Sequence, residues 1–408
     1  MKKKISRYLY FILLLLAILP YNYSALFLNK GGIIITIITY IIRIILVLYV
    51  LFYMKKLELS SSEKKVFKII SIYFFFIFAL NVVSSIVNSS ISYKEILIRT
   101  FSMMYMYGFY IYIIYNYKNF DSFQRVLKNV CVFLLIISIF LYYFFPEIGR
   151  MYEGFNSYVL LGVASNRNSF FELITPAIIS ILYLNGENKL RLIDFIPICV
   201  IVFSIIMTKS ATSIISIFLL LILTVMNRIV KDKRKLLKLC IFVLLILWLG
   251  YFIIITTNKN IGDFSLLFAN KSTTLSGRTF IWQKALYFIK EKPIIGYGYD
   301  NTIIGDNNNY LFQLDNSFPN DTHNSLLFMM LSSGVIGTVG LLFIIGKTLA
   351  RGITVVSYDK DMVFLMYFII VDLVRGLTES CFHYPHLIFF LYMIIINIKY
   401  YEIIKEKK

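Results

Sequence analysis

Cysteine, histidine and acidic residues are all scarce in this chain, and each shortage closes off a class of function. Only four of 408 residues are cysteine and three are histidine. Cys131, Cys199 and Cys240 sit in apolar runs and Cys381 near the end of another. No spacing among them suits a zinc site or a disulfide framework, so they read as core thiols. No polar segment is long enough to fold alone, so a single domain over 1–408 is the simplest organisation. There is no repeat at a solenoid period and no inverted-repeat symmetry of the transporter kind. No small-residue cleavage site follows the first apolar run. Tyr21-Asn22-Tyr23 follows it instead, and the run reads as a retained helix rather than a signal peptide.

What the chain does hold is hydrocarbon. It is 59% hydrophobic, with a mean hydropathy of +0.76, far above a soluble domain of this length. A helix needs about 20 mostly apolar residues to cross the ~30 Å hydrocarbon core, where no water satisfies peptide groups. Apolar runs mark about twelve such segments. They lie near 8–28, 33–53, 68–88, 95–117, 129–146, 170–186, 193–208, 212–230, 239–256, 325–347, 362–378 and 384–400. The expected fold is an all-α polytopic membrane protein.

The 41 basic residues outnumber the 22 acidic ones, and most of them fall at every second loop. Clusters such as Lys2 to Lys4, Lys55 to Lys68, Arg228 to Lys238 and Lys399 to Lys408 mark the cytoplasmic side. Both termini are then cytoplasmic. The charge is topology, and no basic face with interleaved aromatics speaks for nucleic acid. Usage heavy in Ile, Lys, Asn, Tyr and Phe fits a low-G+C bacterial genome, hence a bacterial cytoplasmic membrane.

The same alternation leaves two segments outside, one near 146–170 and one large loop at 257–325. A structureless loop of that length is uncommon unless functional. Within it, 278–291 repeats apolar residues at helical spacing and reads as an amphipathic helix in the outer headgroup layer, with Trp282 as interface anchor. Pro293 ends it, and Gly296 and Gly298 turn the chain. Arg278 sits at its N-terminus, where peptide N–H groups and a guanidinium face either a substrate anion or a lipid phosphate. His323 precedes the tenth helix, at the membrane edge of the polar loop. Imidazole is the side chain best suited to proton exchange near neutral pH. Gly334, Gly337 and Gly340 are spaced for close helix packing.

The combination of Ser276-Gly277-Arg278 with Trp282, then Pro293-x-x-Gly296-x-Gly298, then His323-Asn324-Ser325 and Gly334-x-x-Gly337 resembles the bacterial O-antigen polymerase and O-antigen ligase superfamily. Ala164 to Phe170 is similar to that family's Asn-rich segment. Thr208-Lys209-Ser210-Ala211-Thr212 resembles its T-x-S-R turn, and Glu379 matches an acidic position near its end. The resemblance implies a C-type (GT-C-like) glycosyltransferase fold with an outer cavity. It also implies transfer of a glycan from undecaprenyl diphosphate to a sugar hydroxyl, with no nucleotide sugar, metal or other cofactor. Partners would be the lipid-linked oligosaccharide and the bilayer, with a chain-length regulator and a flippase as candidates.

On this resemblance Arg278 stabilises the diphosphate as the glycosidic bond breaks. His323 either takes the acceptor's proton or contacts the diphosphate. The family's turn arginine is replaced by Ala211, so Lys209 or Arg167 supplies the second phosphate contact. Asn168, Asn324, Arg375 and Glu379 join the candidate substrate site. Arg375 serves either substrate or local ion pairs with Asp372 and Glu379. Tyr297 and Tyr299 either stack on sugars or anchor the interface. The leading reading is a polymerase of lipid-linked repeat units for capsular or other surface polysaccharide. The alternatives are an O-antigen-ligase-like transferase to another acceptor and, from a different class, a lipid-linked oligosaccharide flippase. A transporter should carry broken segments near mid-membrane, whereas the polar residues here concentrate in an outer loop.

Overall fold

The computed structural model describes residues 58–87, 106–152, 158–164, 167–186, 192–257, 278–298, 322–380 and 387–407, with a few isolated positions before them. The expected first two helices, at 8–28 and 33–53, lie almost wholly outside the described residues. So do Tyr299 and most of the loop at 257–325 that is expected to lie outside.

Helix α1 (Ser61–Val87) starts at a capping box: Ser60 N–H donates to Glu63 Oε2 at 2.6 Å, and Glu63 N–H to Ser60 Oγ at 3.3 Å. There follow α2 (Met106–Tyr115) and α3 (Phe120–Phe144). A two-stranded antiparallel ribbon comes next, β1 (Arg150–Tyr152) with β2 (Tyr158–Leu160). It is a small departure from the all-α expectation. Arg150 holds it to α3, donating from Nε to the Tyr142 carbonyl at 2.8 Å.

The chain continues through α4 (Phe171–Asn185), α5 (Phe195–Thr208), α6 (Ala211–Ile229) and α7 (Lys233–Thr257). It ends in α8 (Arg278–Glu291), α9 (Ser325–Val356), α10 (Met362–Arg375) and α11 (Leu387–Glu406). Five described helices are long and apolar enough to cross a membrane, namely α1, α3, α6, α7 and α9. The runs expected at 170–186, 193–208 and 362–378 fold as helices of 15, 14 and 14 residues, each about 21–23 Å long and short of a full crossing. Short 3₁₀ turns at Arg167–Phe170 and Leu192–Asp194 extend α4 and α5 towards the faces.

Packing centres on α10. Every residue from Met362 to Leu373 is buried, as befits a helix apolar on all sides. The helices α6, α4, α11, α7 and α9 surround it, while α3 packs on α4 and α1 packs on α9 and α11.

Helix α9 is broken. Gly334 sits at φ 61, ψ −167 within it, which releases backbone groups from their helical partners inside an apolar slab. The segment after α8 replaces them. Val335 N–H donates to the Pro293 carbonyl at 2.8 Å and Ile336 N–H to the Ile294 carbonyl at 3.4 Å. In return Tyr297 N–H reaches the Leu331 carbonyl at 2.7 Å and Gly298 N–H the Ser332 carbonyl at 2.9 Å. A break at membrane depth is tolerated when its groups are re-satisfied in this way. The backbones approach so closely that a Cβ on Gly334 would lie 2.1 Å from the Ile294 oxygen, and one on Gly296 2.4 Å from the Leu331 oxygen. The expected close packing of the α9 glycines holds for Gly337 and is corrected for the other two. Gly334 makes the break, Gly337 lies against α1, and a Cβ on Gly340 would meet nothing within 4 Å among the described residues.

Candidate functional site

The expected amphipathic helix 278–291 is present with those bounds, but its apolar face is spent on protein. Ile281, Trp282, Ala285 and Ile289 bury against Leu327 and Leu331 of α9. Trp282 is fully buried, donating from Nε1 to the Thr322 carbonyl at 3.0 Å and meeting Tyr251 edge-on. It is therefore not an interface anchor. This packing aims the start of α8 at the start of α9, and so Arg278 at His323.

A third segment completes the junction. The turn after α10 is stitched to the start of α9. Ser325 N–H donates to the Gly376 carbonyl at 2.9 Å, Asn324 Nδ2 to the Leu377 carbonyl at 2.9 Å and Ser325 Oγ to the Glu379 carbonyl at 2.9 Å. These bonds fix Glu379 between the other two. Arg278 Nη2 meets Glu379 Oε1 at 2.9 Å, and its Nη1 donates to the Thr378 carbonyl. His323 Nδ1 stands 3.4 Å from Glu379 Oε2. Asn168 Nδ2 donates to Glu379 Oε1 at 2.9 Å, and Ser210 Oγ donates to Asn168 Oδ1 at 2.8 Å. Arginine, histidine and carboxylate thus come from three distant stretches of sequence onto one end of the bundle.

Electrostatics follow from this geometry. Burial raises the Glu379 pKa. The hydrogen bond to His323 and the positive charges of Arg278 and Arg375 outweigh it and hold the group at about 2. Glu379 is an anion at neutral pH and too weak a base to take a proton from a sugar. His323 is in the left-handed region at φ 48, a conformation costing about 1 kcal/mol that the surrounding bonds must hold. Its Nδ1 faces the carboxylate, which leaves Nε2 as the ring nitrogen directed elsewhere.

Residues 196–342 match the family model described as O-antigen ligase. The match supports membership of the O-antigen polymerase and ligase superfamily. No curated protein matches the chain. The matched span runs from α5 past the break in α9 and includes Arg278 and His323. It points to a multi-pass membrane protein that transfers glycans, with a lipid-linked oligosaccharide as substrate class.

The remaining candidates divide by position. Arg167 is half-buried beside the cluster. Burial and then the charge of Arg278 lower its pKa, while Glu379 opposes this. Lys209 is exposed, left-handed at φ 47, at the corner between α5 and α6. Ala211 opens α6, next to Ser210, which caps it. Arg375 meets Asp372 at 3.7 Å and Glu172 at 3.6 Å, lies over the Phe171 ring and donates to the Asn168 carbonyl at 3.3 Å. Its place is behind the cluster, holding α4 to α10; it makes the expected pair with Asp372, and its charge also acts on Glu379. Asn324 caps α9, with Oδ1 accepting from Leu327 N–H at 3.0 Å. The Tyr297 hydroxyl donates to Glu291 at 2.8 Å, and Lys292 lies over its ring.

Ser210, Glu172 and the Thr378 carbonyl were not legible as site residues. Their signal was spacing across the fold rather than along the chain. Asp359-Lys360-Asp361 has the D-x-D spacing of metal-dependent transferases but lies at the opposite end of the bundle, where Lys399 takes Asp359 at 3.3 Å.

Proposed function

We propose that this protein is a polymerase of oligosaccharide repeat units carried on undecaprenyl diphosphate, acting at the outer face of the cytoplasmic membrane. The observation that carries the reading is the convergence of Arg278, His323 and Glu379 at one end of the bundle, with the first two inside the O-antigen ligase match.

The residues divide the chemistry. The acceptor hydroxyl oxygen attacks the anomeric carbon of the donor. The bond from that carbon to the diphosphate breaks, and polyprenyl diphosphate leaves with the electron pair. Arg278 meets the charge growing on the diphosphate, and Arg167 adds a second guanidinium. His323 accepts the hydroxyl proton at Nε2, while Glu379 holds Nδ1 and sets the ring's tautomer. Negative charge arriving at Arg278 also competes with Glu379, whose second partner, His323, becomes cationic in the same step. The charges stay balanced within the cluster.

A ligase reading, in which the glycan passes to another acceptor, is favoured by the matched family's own description. A flippase reading is weaker. The break in α9 is the feature a transporter would use, but 293–298 occupies its backbone groups. The test is reconstitution with lipid-linked repeat units. A ladder of longer chains with released polyprenyl diphosphate is expected. A single transfer to a foreign acceptor would make it a ligase. Movement between leaflets without a new glycosidic bond would sink the enzyme reading.

A further inference from the structure

A cavity of about 310 Å³ lies between α1, α2, α9 and α11 and takes no part in the cluster around Glu379. Its size is at the lower end of ligand pockets, and its wall is almost entirely apolar. Along α1 the wall is a stripe at helical spacing, Val66, Ile69, Ile70, Tyr73, Phe74 and Ile77, which spans about 16 Å. That is the depth of one leaflet, half of the ~30 Å hydrocarbon core.

The two ends differ in chemistry. At one end Lys347 and Arg351 line the mouth. Arg351 is aimed by Asn397 Oδ1 at 2.5 Å and the Tyr401 hydroxyl at 3.0 Å. Lys65 and Arg351 share the Tyr401 ring, at 5.4 and 4.9 Å from its centre. Cations among tyrosines beside an apolar slot are the signature of an anionic headgroup at a membrane interface. At the other end the apolar stripe stops at Asn81. This residue is 5% exposed, and neither atom of its amide has a hydrogen-bond partner among the described residues. A hydrocarbon chain from the mouth ends where this amide begins. Roughly 33 Å of helix separates Lys347 from the start of α9, so the mouth is on the far side of the bundle from His323.

We infer that this groove binds one acyl chain of an anionic phospholipid, with the phosphate at Lys347, Arg351 and Lys65 in the leaflet opposite the Arg278 cluster. The leaflet-deep stripe favours an acyl chain over a polyisoprenoid, which would have to continue past Asn81.

Native mass spectrometry of the full-length protein, titrated with phosphatidylglycerol or phosphatidylcholine, tests the inference. One phosphatidylglycerol is expected to be retained about tenfold more tightly than phosphatidylcholine. The double variant Lys347→Gln, Arg351→Gln should lose that preference, again by about tenfold. Ile69→Trp fills the slot from an exposed position and should abolish retention with the charges intact, its fold checked by an unchanged melting temperature. Equal retention of the two lipids, or retention indifferent to both variants, would overturn the inference. So would preferential retention of a polyprenyl phosphate over phosphatidylglycerol.

Discussion

Arg278 and His323 approach the same carboxylate from its two sides, the guanidinium on Oε1 of Glu379 at 2.9 Å and the imidazole near Oε2 at 3.4 Å. Neither residue contacts the other in sequence or along a helix; Glu379 is their common point. Glu379→Gln should therefore damage both functions at once, one by freeing Arg278 and the other by releasing Nδ1. Arg278→Ala should lower the transfer rate by about 10²–10³, and Arg278→Lys should recover only part of it, since an ammonium lacks the fork that meets two oxygens. Single-turnover rates with lipid-linked donor check this. A Glu379→Gln enzyme at full rate would leave the dyad without a role.

The carboxylate also makes a stability prediction. Glu379 is held at about 2, against an ordinary value of 4.5. A depressed carboxylate contributes stability that is fully present above its unfolded pKa and is lost as pH falls through the folded one. The window is thus from about pH 4.5 down to about 2, and the contribution about 3 kcal/mol. Melting temperature in detergent should fall across this window in the wild type. In Glu379→Gln it should fall less steeply there, from a lower value at neutral pH.

Much of this architecture could be read from the chain, for reasons that are physical. Apolar runs long enough to cross a bilayer must be helical, so α1, α3, α6, α7 and α9 announce themselves. The period of 278–291 gave α8 its bounds. Glycine spacing in α9 was visible, but its meaning was not. A helix dimer face and a backbone break use the same residue, and only the partner segment at 293–298 tells them apart. The site was half visible. Arg278 and His323 stand out because charge is rare near membranes. Asn168 and Ser210 form a relay to Glu379 across 211 and 42 residues of sequence, a separation that no local pattern encodes.

The break in α9 gives a sharp contrast among glycines. Gly334→Ala would force a side chain into a positive φ and to 2.1 Å from the Ile294 carbonyl oxygen, and backbone cannot yield as a flexible side chain can. A loss of about 2–4 kcal/mol is expected, enough to lower the folded yield. Gly296→Ala should behave alike, at 2.4 Å from the Leu331 oxygen. Gly340→Ala, on the same helix and with no described atom within 4 Å of the added Cβ, should be neutral or slightly stabilising. Fluorescence size-exclusion profiles and melting temperatures of the three variants measure this.

The second cation is the last point that the site's geometry bears on. Ala211 stands where the resembled turn carries arginine, and two basic residues compete for its work. Arg167 precedes Asn168, whose amide is on Glu379, and it senses the charge of Arg278. Lys209 is exposed at the corner of α5 and α6, and Ser210 separates it from the capped start of α6. A guanidinium near a second guanidinium is unfavourable without an anion between them. A diphosphate bound there would offset the burial, and then the Arg278 charge, that together lower the Arg167 pKa. Arg167→Ala should therefore weaken donor binding about tenfold or more, visible as a raised KM, because a charge-assisted contact contributes about 1.5–3 kcal/mol. Lys209→Ala should change KM by less than about threefold, as exposed charges interact weakly through water. The reverse ranking would move the diphosphate towards the α5–α6 corner and away from the face that Arg167 and Arg278 share.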